Sequence, residues 1–145
     1  MTTFADTSAL VKLYVDETGF EVVRAIKEPI LISDIARVEI AAALWKKQGM
    51  QQVSVEDVGL LLQAFEFDVF GDADSEPLFH SVAVTSAIVS SATRLAGIHG
   101  LRAYDAIQLA TAKAARELIA DCRQFAAFDI DLRRAALTEG FALIP

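Results

Sequence analysis

The alternation of short strand-like runs with helical stretches is the feature of this sequence that most constrains its fold. The strand-like runs are predicted at residues 2–5, 30–32, 78–84, 125–128 and 141–144. Consecutive strands separated by helices favour a parallel sheet, because parallel neighbours need a crossover connection. The sequence therefore predicts an α/β fold. We expect a three-layer α/β/α arrangement with a mostly parallel central sheet of about four to five strands.

The helices between these runs are predicted from apolar spacing and from residues typical of helix ends. Ser54 and Thr85 are typical N-cap residues, and Gly49, Gly100 and Gly140 mark helix ends. The predicted helices cover residues 7–16, 22–26, 34–47, 54–69, 85–96, 106–119 and 129–140.

Length and composition favour one folded domain. The 145 residues are 54% hydrophobic, which argues against disorder, and we expect a single domain over residues 1–145. No apolar run approaches the roughly 18 residues of a membrane helix, and residues 1–6 lack a signal-peptide pattern. The simplest expectation is a cytoplasmic protein with no membrane contact. The single cysteine, Cys122, excludes an internal disulfide and a thiolate metal site.

Four acidic residues lie next to or within predicted apolar elements, where a carboxylate is costly unless it has a partner: Asp6, Glu39, Asp105 and Asp129. They are 33, 66 and 24 residues apart (39 − 6, 105 − 39 and 129 − 105), so no local helical pairing relates them. Asp6 follows the first predicted strand and Asp129 follows the fourth. Ligands of parallel sheets bind outside the carboxyl ends of the strands, so both point to the edge where sites form.

Each acid also has a structural interpretation. Asp6, Asp105 and Asp129 precede predicted helices and are open to N-cap roles, which do not exclude metal binding because each carboxylate has two oxygens. Glu39 is expected inside a helix, and partly buried glutamates are uncommon unless paired. It lies beside an apolar stripe formed by Ile35, Val38, Ala42 and Trp45.

If the fold gathers these carboxylates, the expected partner is a hard divalent cation, Mg²⁺ or Mn²⁺, as one or two ions. Such ions lower the pKa of bound water and neutralise charge on a phosphate. No Ser/His/Asp or Cys/His set is visible, so water would be the nucleophile. The interpretation is a metal-dependent phosphodiesterase with Asp6, Glu39 and Asp105 as the main ligands. Asp129 would complete the site directly or through water.

Three neighbouring residues are candidates for supporting roles. Thr7 and Ser8 place hydroxyls beside the first acid. Asp131 is either a first-turn acid favoured by the helix dipole or a weaker metal contact. The net charge of −7 is compatible with this site, because one divalent ion brings it to −5 and two bring it to −3.

Four segments of the chain resemble the PIN-domain family, and more narrowly the VapC-like toxins of bacterial toxin–antitoxin pairs. They are residues 4–11, 33–44, 100–112 and 128–136, the last followed by Gly140. Each segment contains one of the four acids. The third segment, residues 100–112, is the most specific match to the family. One position departs from the pattern: Ala127 stands where the family often has Thr or Ser, two residues before the fourth acid.

The resemblance implies a growth-inhibiting ribonuclease whose substrate is RNA. It also implies a cognate VapB-like antitoxin, which would lay a helix in an apolar groove and place a basic side chain near the acids. Such toxins generally form homodimers. Leu60, Phe67 and Phe70 fall off the main stripe of their predicted helix, which indicates either an interface with a second copy or a partner, or a deep core.

Other functions remain as alternatives. A catalytically inactive PIN-like scaffold that binds RNA or a protein partner has the same fold, although none of the four acids is missing here. A haloacid-dehalogenase-type phosphotransferase needs a second Asp two residues after the first, where this chain has Ser8. The acceptor set of a response-regulator receiver is not visible either.

Overall fold

The computed structural model describes residues 1–27 and 29–145. Within them, five strands alternate with seven helices. The strands are β1 (Thr2–Ala5), β2 (Ile30–Ser33), β3 (Phe79–Val82), β4 (Cys122–Ala126) and β5 (Ala142–Ile144). The helices are α1 (Thr7–Tyr14), α2 (Phe20–Arg24), α3 (Ala36–Gly49), α4 (Val55–Phe70), α5 (Ser86–His99), α6 (Ala103–Leu118) and α7 (Ile130–Thr138).

The strands form one parallel sheet with β1 at its centre. Over the described residues, the strand order is β3-β2-β1-β4-β5, and every neighbouring pair is parallel. The chain builds outward from β1 to β3 on one side and then returns to the other side for β4. The strand order therefore reverses between β1 and β4, where doubly wound folds form their ligand crevice. Ala5 pairs with Ala126, so the segments that leave these two strands begin side by side.

The two faces of the sheet carry separate apolar cores. Phe4 and Phe125 belong to the core that contains the apolar faces of α5, α6 and α7. Ala5 and Ala126, one position further along the same strands, belong to the core with α1 to α4. This change of face at each residue is the period of a strand. Helices thus cover both faces, which confirms the predicted three-layer α/β/α class with an all-parallel sheet.

Caps and glycines define most helix ends as the sequence predicts. The hydroxyl of Ser54 accepts a hydrogen bond from Asp57 N at the start of α4, and that of Thr85 accepts one from Ile88 N at the start of α5. Gly100 ends α5 with a φ of 64°, in the left-handed region that favours glycine. The predicted start of α6 was wrong by three residues, since this helix begins at Ala103 and Arg102 holds the cap position.

Helix α3 packs through a different stripe from the one its sequence suggests. Its buried residues are Ala36, Ile40 and Leu44, which are spaced four apart. Val38 is 70% exposed and Trp45 is 45% exposed, so the predicted stripe does not face the core. Ala36, Ile40 and Leu44 belong to the core shared with α1, α2 and α4. Val38, Ala42 and Trp45 consequently remain on the surface.

Helix α4 likewise has apolar residues that the fold does not bury. Val58, Phe65 and Val69 pack into the core, whereas Leu60, Phe67 and Phe70 are exposed. The deep-core interpretation of the latter three is therefore wrong. Across the described residues, no helix has both the length and the apolar character to span a bilayer.

The aromatic cluster around Phe125 is expected to dominate the stability of the α5–α7 side. Its ring centroid lies 5.5 Å from that of Phe4 and 5.6 Å from that of Phe141, and the side chain is fully buried. Phe125→Ala should lower the free energy of unfolding by about 3–5 kcal/mol. Phe67→Ala removes the same atoms from an exposed site and should cost less than about 1 kcal/mol. Urea denaturation of both variants measures the difference, and equal losses would contradict this packing.

Candidate active site

An open cleft of about 840 Å³ lies at the carboxyl ends of β1 and β4. All four predicted acids line it, together with side chains from α1, α3 and α6. Its lining consists of Asp6, Thr7, Ser8, Val11, Ile35, Val38, Glu39, Ala42, Ala43, Lys46, Arg102, Tyr104, Asp105, Phe128 and Asp129. The fold thus brings together carboxylates that are far apart in sequence.

Each of the four acids stands at the N-terminal end of a helix. Asp6 caps α1 and Asp129 caps α7. Glu39 lies in the first turn of α3 and Asp105 in the first turn of α6. Glu39 lies inside a helix as expected, but close to its start rather than in its middle, because α3 begins at Ala36. The N-cap role considered for Asp105 was wrong, because α6 begins at Ala103. Helix N-termini carry a partial positive charge that favours carboxylates.

Asp6 is the most buried of the four. Its Oδ2 accepts hydrogen bonds from Ser8 N at 3.1 Å and from Ser8 Oγ at 2.6 Å. Burial, together with the charges of Glu39 and Asp105, raises the pKa of Asp6 to about 6 against the opposing effect of these hydrogen bonds. Phe128 N donates to Ser8 Oγ at 2.9 Å. Ser8 therefore ties the first acid to the segment that carries the fourth.

Glu39 is held by Gln108, a buried residue whose role was not predicted from the sequence. Gln108 Nε2 donates to Glu39 Oε1 at 2.7 Å and to Thr7 Oγ1 at 3.2 Å, and Thr7 Oγ1 donates to Glu39 Oε1 at 3.1 Å. Both of these bonds to the Glu39 carboxylate reach Oε1, so Oε2 takes part in neither. The sequence does contain one signal of this role: Gln108 is a polar residue between Ala106 and Leu109 on the apolar face of α6.

Arg102 bridges the other two acids. Its Nε donates to Asp105 Oδ2 at 3.0 Å, and its Nη2 donates to Asp129 Oδ2 at 3.2 Å. Asp129 Oδ1 accepts the capping bond from Leu132 N at 2.9 Å, so its two oxygens have different partners. Burial raises the pKa of Asp105, whereas the Arg102 guanidinium lowers it and the charges of Asp129 and Asp131 raise it. This role of Arg102 was not predicted from the sequence.

The remaining predicted positions separate into two groups. Thr7 and Ser8 touch the acids directly, as described above. Asp131 is 71% exposed, pairs with Arg134 at 3.8 Å and does not line the cleft, which agrees with its first-turn interpretation. Ala127 is fully buried in the core. A hydroxyl beside this segment is supplied by Ser8, which accepts a hydrogen bond from Phe128 N and donates one to Asp6.

The chemistry of the donor set fits a hard divalent ion. The four candidates supply only carboxylate oxygens, which Mg²⁺ and Mn²⁺ prefer, and Asp6 and Glu39 each have one oxygen outside the hydrogen bonds described here. Among residues 1–27 and 29–145 as they are arranged in this structure, no three His, Cys, Asp or Glu side chains lie close enough together to hold an ion. Two of the four acids instead bind Arg102.

A comparison with protein families gives the family of the chain. The model of the PIN domain matches residues 3–137. The chain belongs to the PIN-domain family. A sequence search among curated proteins finds no match.

Solved structures similar to this PIN domain support the fold. They include FitAcB from Neisseria gonorrhoeae, with 19% identity, a TM-score of 0.66 and coverage of 99% of this chain and 96% of the other. A toxin–antitoxin complex from Klebsiella pneumoniae has 18% identity, a TM-score of 0.57 and the same coverage. PAE2754 from Pyrobaculum aerophilum has 19% identity, a TM-score of 0.62 and coverage of 99% and 92%. At these identities the likeness shows the fold alone.

The burial of Asp6 predicts that removing its charge stabilises the metal-free protein. The folded state binds the Asp6 proton more tightly than the unfolded state, so the carboxylate costs stability progressively as the pH rises from 3.8 to about 6. Above pH 6 the whole cost is present, roughly 3 kcal/mol at most. Asp6→Asn should therefore raise the free energy of unfolding by about 1–3 kcal/mol at pH 7.5 in EDTA.

The same variant provides its own control at low pH. At pH 4 the wild-type Asp6 is protonated in the folded state, so urea denaturation should give nearly equal stabilities for the two proteins. A stabilisation of the same size at both pH values would contradict this account of Asp6.

The contacts of Gln108 predict that it orients Glu39 for metal binding. Gln108→Leu replaces the amide donors with an apolar side chain of similar size. Loss of a group that orients a ligand typically weakens metal binding about 10–100-fold. Thr111→Val is the matched control, since Thr111 is a buried residue of α6 that bonds Ile107 O rather than an acid. Calorimetric titration with Mn²⁺ measures both affinities. Unchanged binding by Gln108→Leu would exclude the orienting role.

Proposed function

We propose that this PIN-domain protein is a metal-dependent endoribonuclease that hydrolyses RNA phosphodiester bonds with metal-activated water. The observation that carries the proposal is the convergence of Asp6, Glu39, Asp105 and Asp129 on one open cleft from four different helix ends. A purely structural use of four acids would not require them to face the same cavity. The proposed ligands are these four carboxylates, which hold one or two Mg²⁺ or Mn²⁺ ions.

The roles of the residues follow from their contacts. When bound, the divalent ion supplies Lewis-acid chemistry: it lowers the pKa of water and offsets negative charge on the phosphate. Ser8 fixes one oxygen of Asp6, and Gln108 with Thr7 fixes one oxygen of Glu39. The second oxygen of each carboxylate is then presented in a set direction. This arrangement limits the reorganisation that ligand binding requires.

The rim of the cleft has features that suit a single-stranded RNA. Lys46 and Arg102 are exposed cations on the lining, where phosphates are attracted. Tyr104 is exposed beside Asp105 and offers an aromatic face for base stacking. The net charge of −7 disfavours binding elsewhere on the surface, so contact with RNA would be confined to the cleft.

We further propose that the protein is the toxin of a toxin–antitoxin pair. A structure similar to this chain is described as a toxin–antitoxin complex, and the apolar side chains of Ile35, Val38 and Ala42 continue the cleft along α3. A VapB-like antitoxin helix would cover them. A homodimer would cover the exposed Leu60, Phe67 and Phe70 of α4.

The direct test is cleavage of a mixed RNA pool by purified, partner-free protein with Mg²⁺ or Mn²⁺ and with EDTA. We expect cleavage only with the metals, and a loss of at least about a hundredfold in Asp6→Asn and Asp105→Asn. Asp131→Asn removes the same charge from an exposed acid outside the cleft and should retain most of the activity.

Two results would contradict the proposal. Equal losses in Asp131→Asn and Asp105→Asn would mean that cleavage does not depend on the cleft acids in particular. No cleavage by wild-type protein that is free of partner and binds no divalent ion by calorimetry would favour the inactive PIN-like scaffold.

A further inference from the structure

Arg102 occupies the place of a cation between two of the proposed metal ligands. Its guanidinium donates to the Oδ2 atoms of both Asp105 and Asp129, although these residues belong to different helices. The capping bond from Leu132 N uses the other oxygen of Asp129, so Arg102 binds the oxygen that the cap leaves over. The positive charge of Arg102 therefore offsets the repulsion between these acids when no ion is bound.

The structure also indicates that this guanidinium is easily displaced. The Arg102 side chain is 79% exposed, whereas those of Asp105 and Asp129 are 14% and 32% exposed. The guanidinium is therefore in contact with water already, and leaving the carboxylates would not require it to cross buried space. Arg102 makes no side-chain capping bond to α6, although its backbone holds the cap position. The guanidinium can thus move without removing a bond on which the helix depends.

We propose that Arg102 is a displaceable counter-ion of the metal site: a divalent ion replaces its guanidinium on Asp105 and Asp129, and the released guanidinium binds a phosphate of the RNA. The inference rests on the proposed function of the same cleft. Arg102 and a divalent ion would compete there, because both carry positive charge and the carboxylates of Asp105 and Asp129 would have to serve both. The planar fork of donors that binds two carboxylate oxygens also matches two phosphate oxygens.

The position of Arg102 makes the second contact possible without a change of fold. Its backbone is fixed at the start of α6, three residues before Asp105, and its side chain already lines the cleft. Rotation of the side chain alone moves the guanidinium away from the acids and toward a substrate in the open part of the cleft. If Arg102 had only a structural role, its guanidinium would stay on Asp105 and Asp129 and would join α6 to α7.

The first experiment measures ion binding rather than activity. Calorimetric titration of metal-free protein with Mn²⁺ should give an affinity about three- to tenfold higher for Arg102→Gln than for wild type, because the competitor is gone. Arg102→Lys retains the charge without the fork and should lie between the two. Arg94→Gln is the matched control, since Arg94 is an exposed arginine outside the cleft and its removal should leave Mn²⁺ affinity unchanged.

The second experiment measures RNA affinity across a salt series, with Ca²⁺ as the divalent ion. Arg102→Gln should bind a short single-stranded RNA more weakly than wild type. The slope of log affinity against log salt should be shallower by about 0.7, the value for one lost phosphate contact. Thermal unfolding of each variant in EDTA confirms that the fold is intact.

The outcomes separate this inference from the proposed function. If wild type binds Mn²⁺ and cleaves RNA while Arg102→Gln binds Mn²⁺ no more tightly, the counter-ion role is wrong and the nuclease proposal stands. Tighter Mn²⁺ binding with an unchanged salt slope would overturn the phosphate contact. If wild type binds neither ion nor RNA, the proposed function fails and this inference fails with it.

Discussion

Repulsion between carboxylates gathered at one edge of the sheet is the constraint on which the rest of the cleft depends. Four acids in one cavity are costly unless positive charge or hydrogen-bond donors meet them. The structure supplies such groups in several forms: helix N-termini at all four acids, Ser8 at Asp6, and Gln108 at Glu39. Arg102 supplies the only side-chain cation bonded to these four acids among the described residues.

The topology of the sheet explains why the acids meet at this point. The strand order reverses between β1 and β4, and the paired residues Ala5 and Ala126 bring the two outgoing segments together. Asp6 and Asp129 follow from that register. Glu39 and Asp105 reach the same edge from helices on opposite faces of the sheet, since α3 packs in one core and α6 in the other. The cleft thus spans all three layers.

Much of this arrangement could be predicted from the sequence, because strand alternation and the carboxyl-end rule depend on local patterns. The positions of Asp6 and Asp129 after their strands are examples. The role of Gln108 could not be predicted, since its partners Glu39 and Thr7 are 69 and 101 residues away. The exposed Val38 of α3 was misjudged for a related reason: periodicity finds an apolar stripe, but tertiary packing decides which stripe meets the core.

The most direct test of the central claim is to locate a bound ion by anomalous diffraction from crystals grown with Mn²⁺. The account predicts an anomalous peak in the cleft, with carboxylate oxygens of Asp6, Glu39 and Asp105 within about 2.0–2.6 Å, typical of hard cations and oxygen ligands. A peak at another place, or none in the cleft at saturating Mn²⁺, would contradict the claim that these acids form a metal site.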